Sequence, residues 1–230
     1  IGSNIKESKE KEIEVRPEFF MIDMTNKCNL RCNYCLRNLE QEENCISTEK
    51  LRDIGKFITT YCDEYKIANI SVQAWGGEPL LEKNKIIALT KFITPQKTKV
   101  HYSIETNATL LTNDVIEELY KNHIGIGISI DGDRKCHDLQ RTFVSGKGSY
   151  DTVKKNLLQA QRYYKNKIGT ITTITKQTAV HIEKIIEHLV LDLHISNIKL
   201  NFVHASTYTH GQNQCLNTQE IADTELRILY

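Results

Sequence analysis

Short runs of β-branched and aromatic residues alternate along the chain with segments whose apolar positions recur every three or four residues. The first pattern predicts strands and the second amphipathic helices. Six runs stand out: Glu18–Thr25, Ala68–Trp75, Lys99–Thr106, Gly125–Asp131, Lys167–Thr175 and Ser196–Val203. Their near-continuous Ile, Val and Phe content predicts strands buried on both faces of a parallel sheet. Between them, Leu51, Ile54, Ile58 and Tyr61 form one helical stripe, Val153, Leu157, Ala160 and Tyr164 a second, and Ile182, Ile185, Ile186 and Leu189 a third, each able to cover the sheet. Ser47, Thr112, Ser149 and Asn217 stand where N-caps belong, and Glu220, three residues after Asn217, resembles the second half of a capping box. The pattern is α/β: six βα units with right-handed crossovers. An open doubly wound sheet and a curved, incomplete barrel both satisfy it.

Composition narrows the class. The 230 residues are 40% apolar and 26% charged with 3 Pro, as expected of one ordinary globular core and not of a disordered or fibrous chain. The net charge of +1 supplies no global field toward nucleic acid or an anionic membrane. No apolar run approaches the roughly 20 residues that span a bilayer, and residues 1–16 read as a charged N-terminal tail, so the chain is expected to be cytoplasmic. There is no initiator Met, so sequence outside this chain is expected.

The 7 cysteines do not form a disulfide framework. Cys28, Cys32 and Cys35 fall in NKCNLRCNYC, directly after the first strand, at the edge where α/β folds place their chemistry. Cys45, Cys62 and Cys136 are scattered and read as inert thiols. Zinc would want four ligands, no second CxxC pair follows, and Cys45 could be the fourth. A cubane held by three thiolates leaves one iron open to a substrate or cofactor. None of the 8 histidines forms an HExxH pair, and His181 with His188 reads as solvated surface. Gly146-Lys147-Gly148-Ser149 follows no strand directly and reads as a flexible loop with an N-cap.

The CNLRCNYC run resembles the CxxxCxxC loop of the radical S-adenosylmethionine (SAM) superfamily. That resemblance implies a partial (β/α)6 TIM-like barrel of parallel strands over residues 17–230, and a [4Fe–4S] cluster on Cys28, Cys32 and Cys35. It further implies that S-adenosyl-L-methionine is chelated by the open iron and cleaved reductively to a 5′-deoxyadenosyl radical. Tyr34 occupies the family's usual aromatic position near the adenine, or is a packed loop aromatic. Trp75-Gly76-Gly77-Glu78-Pro79 resembles the GGEP motif. Gly76 and Gly77 allow close backbone approach, Glu78 can accept from the SAM ammonium, and Pro79 suits the first turn of a following helix. Glu105-Thr106-Asn107-Ala108 stands where the family commonly has Thr-Asn-Gly, Ala108 being the departure, and Asn107 binds ribose or caps a turn. Ser129-Ile130-Asp131-Gly132, followed by His137-Asp138 and Arg141, resembles the segment that binds the SAM carboxylate and ribose. Ser129, Asp131 and Arg141 are the candidates there, Arg141 because a guanidinium grips a carboxylate bidentately. Cys215, after the sixth strand, is a candidate hydrogen-atom donor or substrate contact at the same mouth, with an ordinary loop thiol the commoner outcome.

WGGEP, TNA, SIDG and HDxxR together are closest to the branch of anaerobic sulfatase-maturing enzymes and radical SAM peptide maturases. Those enzymes usually carry a C-terminal SPASM or twitch domain with auxiliary clusters, which is expected to be absent from this chain. The leading expectation is an enzyme that abstracts hydrogen from a peptide or protein residue, fed by an electron donor such as flavodoxin or ferredoxin. A non-catalytic iron–sulfur or zinc protein, and a radical SAM enzyme acting on a small metabolite, are the alternatives.

Overall fold

The computed structural model describes residues 15–35, 37, 44–203 and 214–229. Most of the expected tail, residues 1–14, lies outside them. The strands are β1 (Phe19–Thr25), β2 (Asn69–Gly76), β3 (Lys99–Thr106), β4 (Ile124–Ser129), β5 (Gly169–Ile174) and β6 (Ile198–Phe202), each overlapping one sequence run with ends displaced by at most two residues. The helices are α1 (Thr48–Tyr65), α2 (Lys83–Phe92), α3 (Asn113–Lys121), α4 (Arg134–Gln140), α5 (Tyr150–Tyr164), α6 (Lys176–Ala179), α7 (Ile182–Glu187) and α8 (Thr218–Leu229).

Every strand pairs in parallel with the next, giving one sheet in the order β1-β2-β3-β4-β5-β6. A doubly wound sheet reverses its order at a switch point. This one does not, so successive right-handed crossovers return the helices to the same face. Among the described residues β1 pairs only with β2 and β6 only with β5, leaving the sheet open between them. The architecture is a partial (β/α)6 barrel. No helix among the described residues is long and apolar enough to cross a membrane.

β5 is buried on both faces, Thr170 through Ile174 in succession, but the other strands are not. Ile70, Val72 and Ala74 of β2, and Ile124, Ile126 and Ile128 of β4, pack with Leu51, Ile58, Val153, Leu157, Ile182 and Ile185 of the helices in one core. The alternate positions, Gln73 and Trp75 on β2, Ser103 and Glu105 on β3, and Gly125, Gly127 and Ser129 on β4, turn to the concave side, where Gln73, Ser103 and Glu105 line a cavity of about 330 Å³. Alternation is hidden in the sequence because glycine, serine and threonine break an apolar run so little.

Ser47 caps α1 by accepting from Lys50 N at 3.2 Å, and Asn217 and Glu220 form reciprocal bonds at 2.8 and 2.9 Å at the start of α8. Ser149 stands at the N-cap of α5 but its hydroxyl is used elsewhere. His188 is not solvated surface: its ring is half-buried between the Tyr150 hydroxyl at 2.7 Å and Asp192 at 2.6 Å.

Candidate active site at the C-terminal rim

Beyond β1 the chain enters the cysteine loop, which is held from two sides. On the β2 side, Gly77 N donates to Thr25 O at 2.7 Å and Glu78 N to Lys27 O at 2.8 Å. A Cβ at Gly76, whose φ is +143°, would lie 2.3 Å from Thr25 O, and one at Gly77 would lie 2.2 Å from Lys27 O. The glycine pair is therefore required by the approach of the loop's own backbone. On the β4 side, Arg31 N donates to Thr142 O at 2.8 Å and Asn33 N to Gln140 O at 3.0 Å.

Within this bracket Cys32 is buried, while Cys28 and Cys35 are half-buried. Burial pushes the Cys32 thiol up to about 12 and raises Cys28 as well. As bare thiols these two would be protonated at neutral pH, whereas a bound metal deprotonates a coordinating thiol outright. Cys28 Sγ already accepts from Leu30 N at 3.5 Å and Asn107 Nδ2 at 3.7 Å, donors of the kind that tune cluster sulfurs. Among the described residues no three His, Cys, Asp or Glu side chains converge on a single ion. Cys45, the candidate for a fourth zinc ligand, bridges to Thr25 and accepts from Lys85 at 3.6 Å. Three thiols spaced along one loop suit a cubane, which takes one thiolate per iron.

Glu78 is fully buried, accepting from Thr106 Oγ1 at 2.6 Å, Leu80 N at 3.0 Å and Asn107 N at 2.7 Å. It ties the end of β2 to the end of β3 and caps the short turn that Pro79 begins. Burial raises its pKa against those three donors. Asn107 reaches the loop through Asn29 at 2.9 Å, and Thr109 accepts from Asn29 at 2.7 Å.

Asp131 is the hub of the opposite side. Its Oδ2 accepts from Tyr34 OH at 2.8 Å, Gln140 Nε2 at 3.1 Å and Arg141 Nε at 2.7 Å, and its Oδ1 from Thr173 N at 2.8 Å. Four donors fill the carboxylate. Arg141 lies over the Tyr34 ring, 5.4 Å from its centroid, and its Nη atoms have no partner among the described residues. Asp131 therefore ties Tyr34 of the cysteine loop to the buried Arg141 guanidinium.

His137, fully buried, locks the Arg141 backbone. Asp131 N donates to its Nδ1 at 3.2 Å, so the proton sits on Nε2, which donates to Ser149 Oγ at 2.9 Å, and Ser149 donates to Arg141 O at 2.8 Å. Burial holds the imidazole neutral, its pKa lowered from 6.5 to about 4. The unfolded chain then binds the extra proton between those values, so this contribution is complete above about pH 6.5 and is lost as pH falls toward 4, amounting to about 3 kcal/mol at roughly 1.4 kcal/mol per pKa unit. Urea midpoints measured from pH 4 to 7 are expected to rise with pH, and His137→Gln to flatten that slope. An equal slope in the variant would assign it to other groups.

A profile of the radical SAM superfamily matches residues 22–189. The chain belongs to the radical SAM superfamily. Radical SAM proteins use a [4Fe–4S] cluster and SAM. The cysteine-type anaerobic sulfatase-maturating enzyme of Clostridium novyi is 30% identical over 168 residues, 70% of this chain and 44% of that protein. The serine-type enzyme of Bacteroides thetaiotaomicron is 32% identical over 140 residues, 56% and 33% respectively. The chain spans about half the length of such curated relatives, 57%, 44% and 45% for three of them. Among solved structures, native anSMEcpe with bound AdoMet and Cp18Cys peptide shares the fold with a TM-score of 0.78 at 20% identity, over 93% of this chain and 59% of that one. Streptococcus suis SuiB bound to precursor peptide SuiA gives 0.70 at 19%, over 93% and 45%.

The radical SAM motifs thus meet at one rim. Ala108 keeps a left-handed φ of 59°, the conformation that explains why glycine is common there. Ser129 ends β4 on the concave face, without a hydrogen-bond partner among the described residues. Cys215 is buried beside Leu216, whose N–H bonds to Val203 O at 2.7 Å just past β6. Gln140, Thr173 and Asn29 were not singled out from the sequence, and Ser149 only as a helix cap. Only the position of Gln140 next to Arg141, and of Ser149 in a cap, hinted at them.

Proposed function

We propose that this chain is the catalytic barrel of a radical SAM enzyme that modifies a peptide or protein. Cys28, Cys32 and Cys35 would hold the [4Fe–4S] cluster, which when bound supplies the electron that splits SAM into methionine and a 5′-deoxyadenosyl radical. Gly76–Glu78 would flank the SAM amino group, Ser129 and the Nη edge of Arg141 its carboxylate or ribose, and Tyr34 its adenine. Asp131 and Glu78, their oxygens engaged by protein donors, act as positioning groups. Asn107 acts through Asn29 and the Cys28 sulfur.

The observation that carries this reading is the meeting of three thiols in a doubly bracketed loop with a buried arginine that Asp131 ties to Tyr34 of the same loop and whose Nη atoms have no partner among the described residues. The substrate class is supported by the sheet's being open between β1 and β6 among the described residues, an edge that a closed barrel lacks. It is also supported by the sulfatase-maturating relatives and by likeness to SuiB with its precursor peptide.

The test is anaerobic reconstitution of the full-length protein, followed by assay for 5′-deoxyadenosine and mass spectrometry of candidate peptides encoded beside its gene. Hydrogen loss or deuterium incorporation in a peptide is expected. Turnover of a free metabolite, with every such peptide unmodified, would overturn the substrate class.

A further inference from the structure

Below the rim, the concave side of the sheet holds a chamber that the reading above leaves unused. It is the cavity of about 330 Å³ lined by Gln73, Ser103, Glu105, Gly125, Gly127 and Lys199, with Lys167 and Asn197 exposed at its lower edge, just before β5 and β6 begin. Parallel pairing sets Gln73, Ser103 and Gly125 in one row across β2, β3 and β4, and Glu105, Gly127 and Gly169 in the next row toward the rim across β3, β4 and β5. Glycine inside a strand weakens it and marks a place where something else approaches closely. Unlike Gly76 and Gly77, these glycines are not forced by the backbone. A Cβ at Gly125 would meet nothing nearer than Tyr102 O at 3.5 Å, and one at Gly169 nothing nearer than Asn197 Nδ2 at 3.5 Å. The missing side chains clear the middle of the concave face, and across the gap Glu105 Oε1 of β3 and Lys199 Nζ of β6 come to 3.9 Å, too far for a hydrogen bond.

Gln73 points to a ligand. It is 8% exposed, it turns to the concave side while Ile70, Val72 and Ala74 turn to the core, and its amide has no hydrogen-bond partner among the described residues. Ser103, its neighbour across the strands, has none either. A buried amide without a partner is costly, so a group from outside the fold is expected to supply one. The charges around it are Glu105, Lys199 and Lys167. Glu105 and Lys199 offset each other, and Lys167 is exposed at the lower edge, where solvent screens it. The inner groups therefore balance: the Gln73 amide and the Ser103 hydroxyl both donate and accept, Glu105 accepts and Lys199 donates. A carboxylate placed there would face Glu105, and an ammonium would face Lys199. A primary carboxamide offers an acceptor and a donor side by side, and so satisfies the amide and both members of the loose ion pair.

We propose that this chamber binds a primary carboxamide, the side chain of an Asn or Gln in the substrate peptide. The inference rests on the peptide reading above. The carboxamide pairs with Gln73, its carbonyl accepting from Gln73 Nε2 or Lys199 Nζ and its nitrogen donating to Gln73 Oε1 or Glu105. Seated below the rim, it sets the register of the peptide and so selects which neighbouring residue is presented above.

The experiment uses the full-length, reconstituted enzyme with N-acetyl-L-glutamine methylamide and N-acetyl-L-asparagine methylamide as probes, and the glutamate and methionine counterparts as acidic and apolar controls. Affinities are measured by saturation-transfer NMR. At least one amide is expected to bind about tenfold or more tightly than both controls. Gln73→Leu and Gly125→Leu, the second filling the chamber from its floor, are each expected to weaken that binding by about tenfold or more. Gln73→Leu replaces an unpartnered buried amide by an apolar group of similar shape, so its urea midpoint should hold or rise. Binding lost at undiminished stability separates recognition from folding, and it keeps the test open if Gly125→Leu crowds the barrel. Equal affinity for the methionine probe, or wild-type affinity in either folded variant, would overturn the proposal and leave the chamber to water. Preference for the glutamate probe would overturn it in favour of an anion held by the two lysines. Absence of 5′-deoxyadenosine from the wild type with dithionite would overturn the function reading instead, the probe affinities standing as measured.

Discussion

Replacing Cys28, Cys32 and Cys35 together by Ala is expected to abolish iron loading and 5′-deoxyadenosine formation while the barrel stays folded. The loop is held by backbone bonds, Gly77 N to Thr25 O, Glu78 N to Lys27 O, Arg31 N to Thr142 O and Asn33 N to Gln140 O, none of which needs a thiol. Only Cys32 contributes much buried surface, so the cost in stability should stay near that of a small core truncation, about 1–2 kcal/mol. Iron and sulfide analysis, the visible absorption of the reconstituted protein, and product assay under strict anaerobiosis give three independent readouts. A triple variant that still forms 5′-deoxyadenosine would remove the loop from the chemistry.

The second large effect is expected at Asp131. It is fully buried, and its carboxylate gathers Tyr34, Gln140, Arg141 and the Thr173 amide. Asp131→Ala strands a buried guanidinium and three further donors, and removing one partner of a buried ion pair typically costs about 3–5 kcal/mol. Denaturant unfolding should show that loss, and SAM affinity should fall because Tyr34 and Arg141 are no longer held. Arg141→Ala breaks the same buried pair from the other side and should also lower stability; a charged hydrogen bond from Arg141 to SAM would be worth roughly 1.5–3 kcal/mol, read by equilibrium binding to folded, cluster-loaded protein. Arg141→Lys should not restore it, since an ammonium lacks the planar fork that serves Asp131 and a ligand at once. Unchanged SAM affinity in Arg141→Ala would take Arg141 out of the site.

The six strands, three helix stripes, the α1 and α8 caps and the cysteine loop could be read along the chain, because each is a matter of spacing within one element or one loop. Hydrophobic period reports which side of a helix is covered, and CxxxCxxC after a strand gives three candidate ligands and their place at the rim. The open doubly wound and barrel alternatives could not be separated by period, since both use the same βα units; strand order separates them, and order depends on which edges pair. The same holds for the site. Tyr34 and Asp131 are 97 positions apart, Glu78 and Thr106 are 28 apart, and nothing in their local sequence says that they meet. Once β1 and β4 are brought to one rim, Asp131 becomes a saturated anchor and not an open ligand group. Gly76 and Gly77 make room for the loop's backbone, and Ser149 leaves its cap to serve His137. Residue type and spacing state what chemistry is available at the rim. Which polar atoms there remain unpartnered among the described residues, the Arg141 Nη atoms and the Ser129 hydroxyl, is decided only by the tertiary fold.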